Sequence, residues 1–300
     1  MPRHAHIPPR LGFLPFRGSE AIASGRLTKA MLRGPTWFRL LPDVYVSTAS
    51  FEEHPDHRMW CDAVALLLPE GAAIGGLSAA YLWGVNLLPH DAPVHVVIPE
   101  RRRLRPHPRI ATIRSSVATS DVTRFANVPV TTPVRTAFDL ARRPPRVDAL
   151  VAVDALLHRR VVKLSTLAAY AEAHRGWPGA RLLGEVLALA EEKSESPMET
   201  RLRLLLIDGG LPRPVAQHDV LDKLGRFLAR LDLAYPELLI GIEYEGDHHR
   251  ERATFRRDVA RLNALRAMGW LILRCTADDI YRHSARLIRD VTAARKERGA

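Results

Sequence analysis

Leu238-Leu239-Ile240-Gly241-Ile242-Glu243-Tyr244-Glu245 is the stretch that decides the fold. It follows a turn at Tyr235 and Pro236 and is a mostly apolar run of the kind that forms a central strand. Side chains alternate along a strand, so Glu243 and Glu245 emerge on one face, roughly 7 Å apart. Asp232, at the end of the preceding strand, can stand beside them. Three carboxylates converging on one end of a sheet repel one another unless cations neutralise them, and hard oxygen ligands of this kind suit Mg²⁺ or Mn²⁺. The alternative is a strand-end glutamate paired with one of the many arginines.

Outward from this strand the periodicity gives a helix, three strands, a helix, a strand and a helix. Ser196 and Pro197 are an N-cap and a first-turn proline, and Leu202, Leu205 and Leu206 form the stripe of a helix ending at Gly209 and Gly210. Glu199 either completes a capping box with Ser196 or reaches the acidic cluster as a further metal ligand. Val215–Leu221 and Arg226–Leu233 flank a turn at Asp222–Gly225 and predict a hairpin. His248 and His249 follow the central strand, where an imidazole can act as base or acid or simply lie in solvent. The next helix, Glu251–Met268, is expected to bury Phe255, Val259, Leu262 and Leu265. It sets Asp258 and Arg261 at i, i+3, as an ion pair or with the guanidinium turned toward phosphate. A buried strand, Leu271–Cys275, and a helix capped by Thr276 close the chain.

Upstream, Ser19–Ser24 reads as a short helix, and Thr28 caps a second one through Lys29, Met31 and Arg33 that Gly34 and Pro35 stop. A small hairpin follows, from Trp37 to Val46 around Pro42 and Asp43. That order is the winged-helix order, which makes Thr28, Lys29 and Arg33 candidate DNA contacts; an ordinary αβ appendage would have the same spacing. Helical patterns at Pro55–Leu68 and Ser78–Trp83 come next. Val94–Ile98 and Ile110–Ser115 read as a hairpin whose connection carries Arg101, Arg102, Arg103 and Arg105, either a positive knob for phosphates or a solvated loop. Val128–Thr132 is a strand, Thr132 caps a helix from Pro133, and helices dominate from Val147 to Ala190.

The chain has 300 residues, 47% apolar and 26% charged, which excludes a disordered chain, and no apolar run approaches the roughly 18 residues of a membrane span. The proline- and arginine-rich start lacks the apolar core of a secretory signal, so the expected location is cytoplasmic. Cys61 and Cys275 have no partner at metal-ligand spacing and read as core residues. The formal charge is +11, and arginine supplies 39 of the 44 basic residues. Residues 1–194 carry net +8 and residues 195–300 net +3, which fits a polyanion partner gripped mainly upstream, although a GC-rich genome also favours arginine.

Two resemblances gather these readings. Gly25–Val46, with Leu27, Thr28, Trp37, Arg39, Val44, Tyr45 and Val46, resembles the winged-helix start of AbiEi-family antitoxins of type IV toxin-antitoxin systems, with Asp43 where a glycine is expected. Ser78, Ala79, Ala80, Leu82, Trp83 and Gly84, and Val128–Thr131 with Arg135, Thr136, Asp139 and Leu140, resemble that family's central region. The resemblance implies promoter-type DNA binding, autoregulation and a cognate toxin. The last third resembles the PD-(D/E)XK nuclease superfamily, near the endonuclease-like domains related to Vsr endonucleases. Glu199, Asp232, the run Ile242–Gly246, His249, Asp258, Arg261, Gly269, Trp270 and Arg274 carry it. It implies that Asp232 and Glu243 match the metal ligands, with Glu245 in the position of the motif's lysine, so that a second metal, His248 or His249 would have to activate water.

The expectation is therefore an α/β multidomain chain: winged-helix-like at 1–50, AbiEi-like α/β at 51–194, and restriction-endonuclease-like αβββαβα at 195–300. The leading function is a DNA-binding, Mg²⁺- or Mn²⁺-dependent endonuclease with Asp232, Glu243, Glu245, His249 and Arg261 in the site and Glu199 among the ligands. The alternative is an AbiEi-type antitoxin or repressor with an inactive nuclease-like domain.

Overall fold

The computed structural model describes residues 11–246 and 252–299, with side chains of the latter segment from Asp258 onward. It is mixed α/β and divides into two compact units, Met1–Leu140 and Ala141–Ala300.

The first unit opens with β1 (Phe16–Arg17), α1 (Gly18–Ala23), β2 (Trp37–Leu41) and β3 (Val44–Ser47), in an antiparallel sheet of order β1-β3-β2. The expected second helix is a single 3-10 turn, Met31–Arg33. Thr28 caps it through the Met31 N–H at 3.2 Å, and Gly34 and Pro35 arrive before a second turn can form. Asp43 takes the left-handed conformation, φ 64°, in the two-residue turn between β2 and β3. Its carboxylate accepts from the Ser19 N–H (2.8 Å) and Oγ (2.6 Å), and so serves the start of α1 from another element.

The unit continues with α2 (His57–Ala65), β4 (Ala73–Ile74), α3 (Gly76–Leu82), β5 (Val94–Ile98), β6 (Ile110–Arg114), β7 (Val122–Phe125), β8 (Val128–Thr131) and α4 (Pro133–Ala141). The sheet order is β6-β5-β4-β8-β7. Contrary to the hairpin expectation, β5 and β6 are parallel, Val94 opposite Ile110, while antiparallel β4 takes the other edge of β5. The arginine-bearing segment 99–109 is thus a crossover, long enough to return the chain to the start of the next strand. Leu41, Val44 and Val46 share a core with Cys61, Val64, Ile74, Val96 and Val130.

The polar residues of the AbiEi resemblance are interior. Arg135 is fully buried and donates to Asp139 (2.8 Å), Asp121 (2.6 Å) and Ser115 (3.0 Å). Thr136 meets Thr131 at 2.7 Å, and the Trp83 indole N–H reaches the Thr131 carbonyl at 3.0 Å. These groups pair with each other and so pin α4 and α3 to the sheet.

The second unit comprises α5 (Arg146–His158), α6 (Leu164–Ala173), α7 (Ala180–Leu189), α8 (Pro197–Asp208), β9 (Val215–Leu221), β10 (Phe227–Tyr235), β11 (Ile240–Tyr244), α9 (Arg252–Ala267), β12 (Leu271–Cys275), α10 (Ala277–Tyr281) and α11 (Ser284–Glu297). The sheet order is β12-β11-β10-β9; β9, β10 and β11 are antiparallel neighbours and β12 is parallel to β11. The caps at Ser196 and Thr276 form as expected. Leu202, Leu206, Leu233, Ile242, Ile280 and Val291 fill one core. Leu231, Leu265 and Trp270 belong to a second. Gly241 lies so close between Leu231 and Ile272 that a Cβ there would stand 2.8 Å from each. Leu265 is buried as expected, whereas Val259 is 39% exposed, because α9 turns it away from the sheet. Phe255 lies outside the described side chains.

Arg203 of α8 is a second fully buried arginine. It donates to Asp154 of α5 at 2.6 Å and to the Leu189 carbonyl at 2.7 Å, and Thr200 also donates to Asp154, at 2.9 Å. Burial still pushes the Asp154 carboxyl up to about 6.

Candidate functional site

The β10–β11 ladder ends at Leu233 opposite Ile242. One step on, the Tyr244 N–H donates to the Asp232 carboxylate at 2.8 Å, so a side chain replaces the ladder bond where the strands part. On its other edge β11 stays paired with β12, Glu243 opposite Arg274. The parting strands leave a cavity of about 200 Å³ lined by Asp232, Glu243 and Glu245 together with Arg230, Asp258, Arg261 and Arg274. Glu243 and Glu245, expected on one face from strand alternation, and Asp232, expected beside them at the end of the preceding strand, all line this cavity.

What neutralises the carboxylates is arginine. Arg261 grips Glu243 with both terminal nitrogens, at 2.7 and 2.9 Å, and reaches Asp258 at 3.1 Å. Arg274 donates to Asp258 at 2.7 Å and to Glu245 at 3.4 Å, and its Nε stands 3.7 Å from Glu243. The Glu243 hydrogen bonds hold the Arg261 guanidinium well above its ordinary pKa. Burial raises the Asp258 carboxyl, but its bonds to Arg274 and Arg261 outweigh this and bring it below its usual range. The i, i+3 pairing of Asp258 with Arg261 is thus real, and it is one edge of a wider network of two arginines and three carboxylates.

Asp232 stands apart. Burial, with the nearby charges of Glu199 and Glu243, pushes its carboxyl up to about 6 against the Tyr244 hydrogen bond. Glu199 is buried and accepts from the Glu195 N–H (2.9 Å) and from the Gln217 side-chain amide (2.8 Å), so it serves the start of α8, and it reaches the site only through its charge on Asp232. Sequence reasoning missed Gln217. It holds a left-handed backbone, φ 48°, inside β9, where no glycine flags the irregularity. Arg230, also missed, lies two residues before Asp232 on the same face of β10 and lines the cavity.

The expected Mg²⁺ or Mn²⁺ can be tested against this donor set. Both Glu243 oxygens are committed to Arg261, and among the described residues no group of three or more His, Cys, Asp or Glu side chains is arranged to hold a metal. In this arrangement the residues do not fit a resident divalent ion. His248 and His249 lie outside the described residues.

The expected DNA contacts lie in the first unit. Lys29 and Arg33 are exposed, and Thr28 is used as a cap. Arg101, Arg102, Arg103 and Arg105 are exposed on the crossover. Arg102 pairs with Glu70 at 2.7 Å, and the other three enter no ion pair among the described residues. Arg114 donates to the Glu100 and Arg102 carbonyls and fixes the shape of the segment. Among the described residues no helix is long and apolar enough to cross a membrane.

Residues 57–203 match the AbiEi antitoxin C-terminal domain. The chain is 30% identical over 211 residues to uncharacterized protein MT2308 of Mycobacterium tuberculosis strain CDC 1551 and equally to uncharacterized protein Rv2248 of strain H37Rv, covering 70% of this chain and 76% of each relative. A crystal structure of the RV2827C protein from the same organism aligns over 61% of this chain and 68% of that one at 16% identity, with a TM-score of 0.39. The chain therefore belongs to one family with these two mycobacterial relatives, and its residues 57–203 are similar to the AbiEi antitoxin C-terminal domain.

Proposed function

We propose that the protein is a DNA-binding repressor of the antitoxin type, with a cognate toxin as its protein partner. Residues 1–50 act as a winged-helix-like reader, 51–194 as the antitoxin domain, and 195–300 as a nuclease-like scaffold. The observation that carries this reading is the AbiEi match over 57–203. The arginine grip on Glu243 supports an acidic site whose charge is countered by the chain's own arginines rather than by metal. The net charge of +11 and the exposed crossover arginines support a nucleic-acid partner. The test is electrophoretic retardation of the DNA upstream of its own gene, with a plasmid-cleavage assay in Mg²⁺, Mn²⁺ or EDTA alongside. Retardation without cutting under any of these is expected; a protein that leaves this DNA unretarded refutes the proposal.

A second reading, a divalent-metal-dependent endonuclease, rests on Asp232, Glu243 and Glu245 lining one cavity and needs a divalent ion to displace Arg261 from Glu243. It requires metal-dependent cutting by the parent that Asp232→Ala abolishes and EDTA suppresses.

A further inference from the structure

Beside the acidic cavity, within the second unit, a larger cleft of about 760 Å³ opens between the end of α5, the start of α6, the segment before α8 and strands β9 and β10. Its basic lining is Arg160, Lys163, Lys193 and Arg230. Three carboxylates also face it, and Arg230 already engages two of them: Asp219 at 2.6 Å and Glu195 at 3.8 Å. Arg160, Lys163 and Lys193 are exposed and enter no ion pair of their own among the described residues, although Lys193 is near enough to assist Arg230 in holding the Asp219 carboxyl low.

Arg160 occupies a telling place. Helix α5 ends in a Schellman arrangement, with the Arg160 N–H on the Leu157 carbonyl (2.8 Å) and the Val161 N–H on the Leu156 carbonyl (3.2 Å). The residue between must be left-handed, and glycine is the usual occupant. Here it is Arg160, at φ 57°, and it lines the cleft. Lys163, the N-cap of α6, makes no capping bond through its side chain and leaves that helix start open on the same cleft.

We infer that this cleft binds the phosphodiester backbone of nucleic acid. Arg160, Lys163 and Lys193 contact successive phosphates, and Arg230, which lines both cavities, carries the backbone past the acidic site. The inference rests on the DNA-binding reading and adds to it a contact surface in the second unit, remote in sequence from the winged-helix-like segment.

The test uses the full chain and a labelled duplex and single strand from the DNA upstream of its own gene, with anisotropy read across a salt series. The variant Arg160→Ala/Lys163→Ala/Lys193→Ala is compared with the charge-matched Arg282→Ala/Arg289→Ala/Lys296→Ala. The cleft variant is expected to lose about tenfold or more in affinity at 0.1 M salt, and to lower the slope of log affinity against log salt by about 2 to 3. The matched variant should stay near the parent. Circular dichroism checks that each variant folds; should the triple variant fail to fold, Arg160→Gly, which suits the left-handed position, is read instead for a slope lowered by about 1. Equal behaviour of the cleft variant and the parent, or equal losses in both triple variants, overturns the inference while leaving DNA binding intact. A parent that binds no DNA removes both. Calorimetric uptake of inorganic phosphate as tight as that of the oligonucleotide, lost in the cleft variant, also overturns it, because the cleft would then serve a free anion.

Discussion

Replacing Asp232 by asparagine is expected to stabilise the protein, and to do so only above a definite pH. A carboxyl moved from 3.8 to about 6 costs the folded state about 3 kcal/mol once it is ionised. Because the native group holds its proton more tightly than the unfolded one, the folded state binds more protons between those two values. Stability therefore falls as pH rises from about 4 to about 6 and levels off above. The asparagine side chain would keep an oxygen for the Tyr244 N–H and shed the charge that burial, Glu199 and Glu243 oppose. Asp232→Asn should gain about 2 to 3 kcal/mol at pH 8 and nothing below pH 4, a rise of about 5 to 10 °C in the melting temperature of a unit this size. Urea unfolding by circular dichroism at several pH values measures it. Asp154, also held at about 6 by burial, titrates in the same window, so the difference between variant and parent is the quantity to read. A variant no more stable than the parent at pH 8, or a gain independent of pH, would refute the reasoning.

Arg261→Met strips the buried Glu243 carboxylate of its two-pronged partner and should cost about 3 kcal/mol, most of it recovered by adding Glu243→Leu; a double-mutant cycle in urea measures the interaction. Arg135→Met leaves Asp121 and Asp139 facing each other in the interior and should cost about 3 to 5 kcal/mol by calorimetry. Arg160→Gly relieves a left-handed arginine and should raise stability by about 1 kcal/mol in thermal melts.

Much of the second unit was legible in the sequence because its signals are local. Asp222 and Gly225 mark the β9–β10 turn, alternation around Glu243 marks β11, and Ser196 and Thr276 mark helix starts. Alternation paired Glu243 with Glu245, and the place of Asp232 at the end of the neighbouring strand set it beside them. What escaped depends on distant elements. Parallel and antiparallel partners of β5 carry identical alternation, and the strand that occupies its other edge, Ala73–Ile74, is too short to show a period. Spacing tied Arg261 to Asp258, three residues away; its hold on Glu243 comes from the packing of α9 over the sheet. Arg135 and Arg203 look like any arginine in a basic chain, and only the fold places them inside.

Helix α8 faces two ways one turn apart. Glu199 bonds Gln217 of β9 and acts by its charge on Asp232, and Arg203 is sunk against Asp154 of α5. The stretch that matches the antitoxin domain and the four-stranded sheet that follows it share this helix as a common structural member. Severing the chain before Ser196 would strand a buried charge on either fragment, so neither half is expected to survive as an exchangeable cassette, and recombination that swaps the tail would have to bring its own counterpart to Asp154.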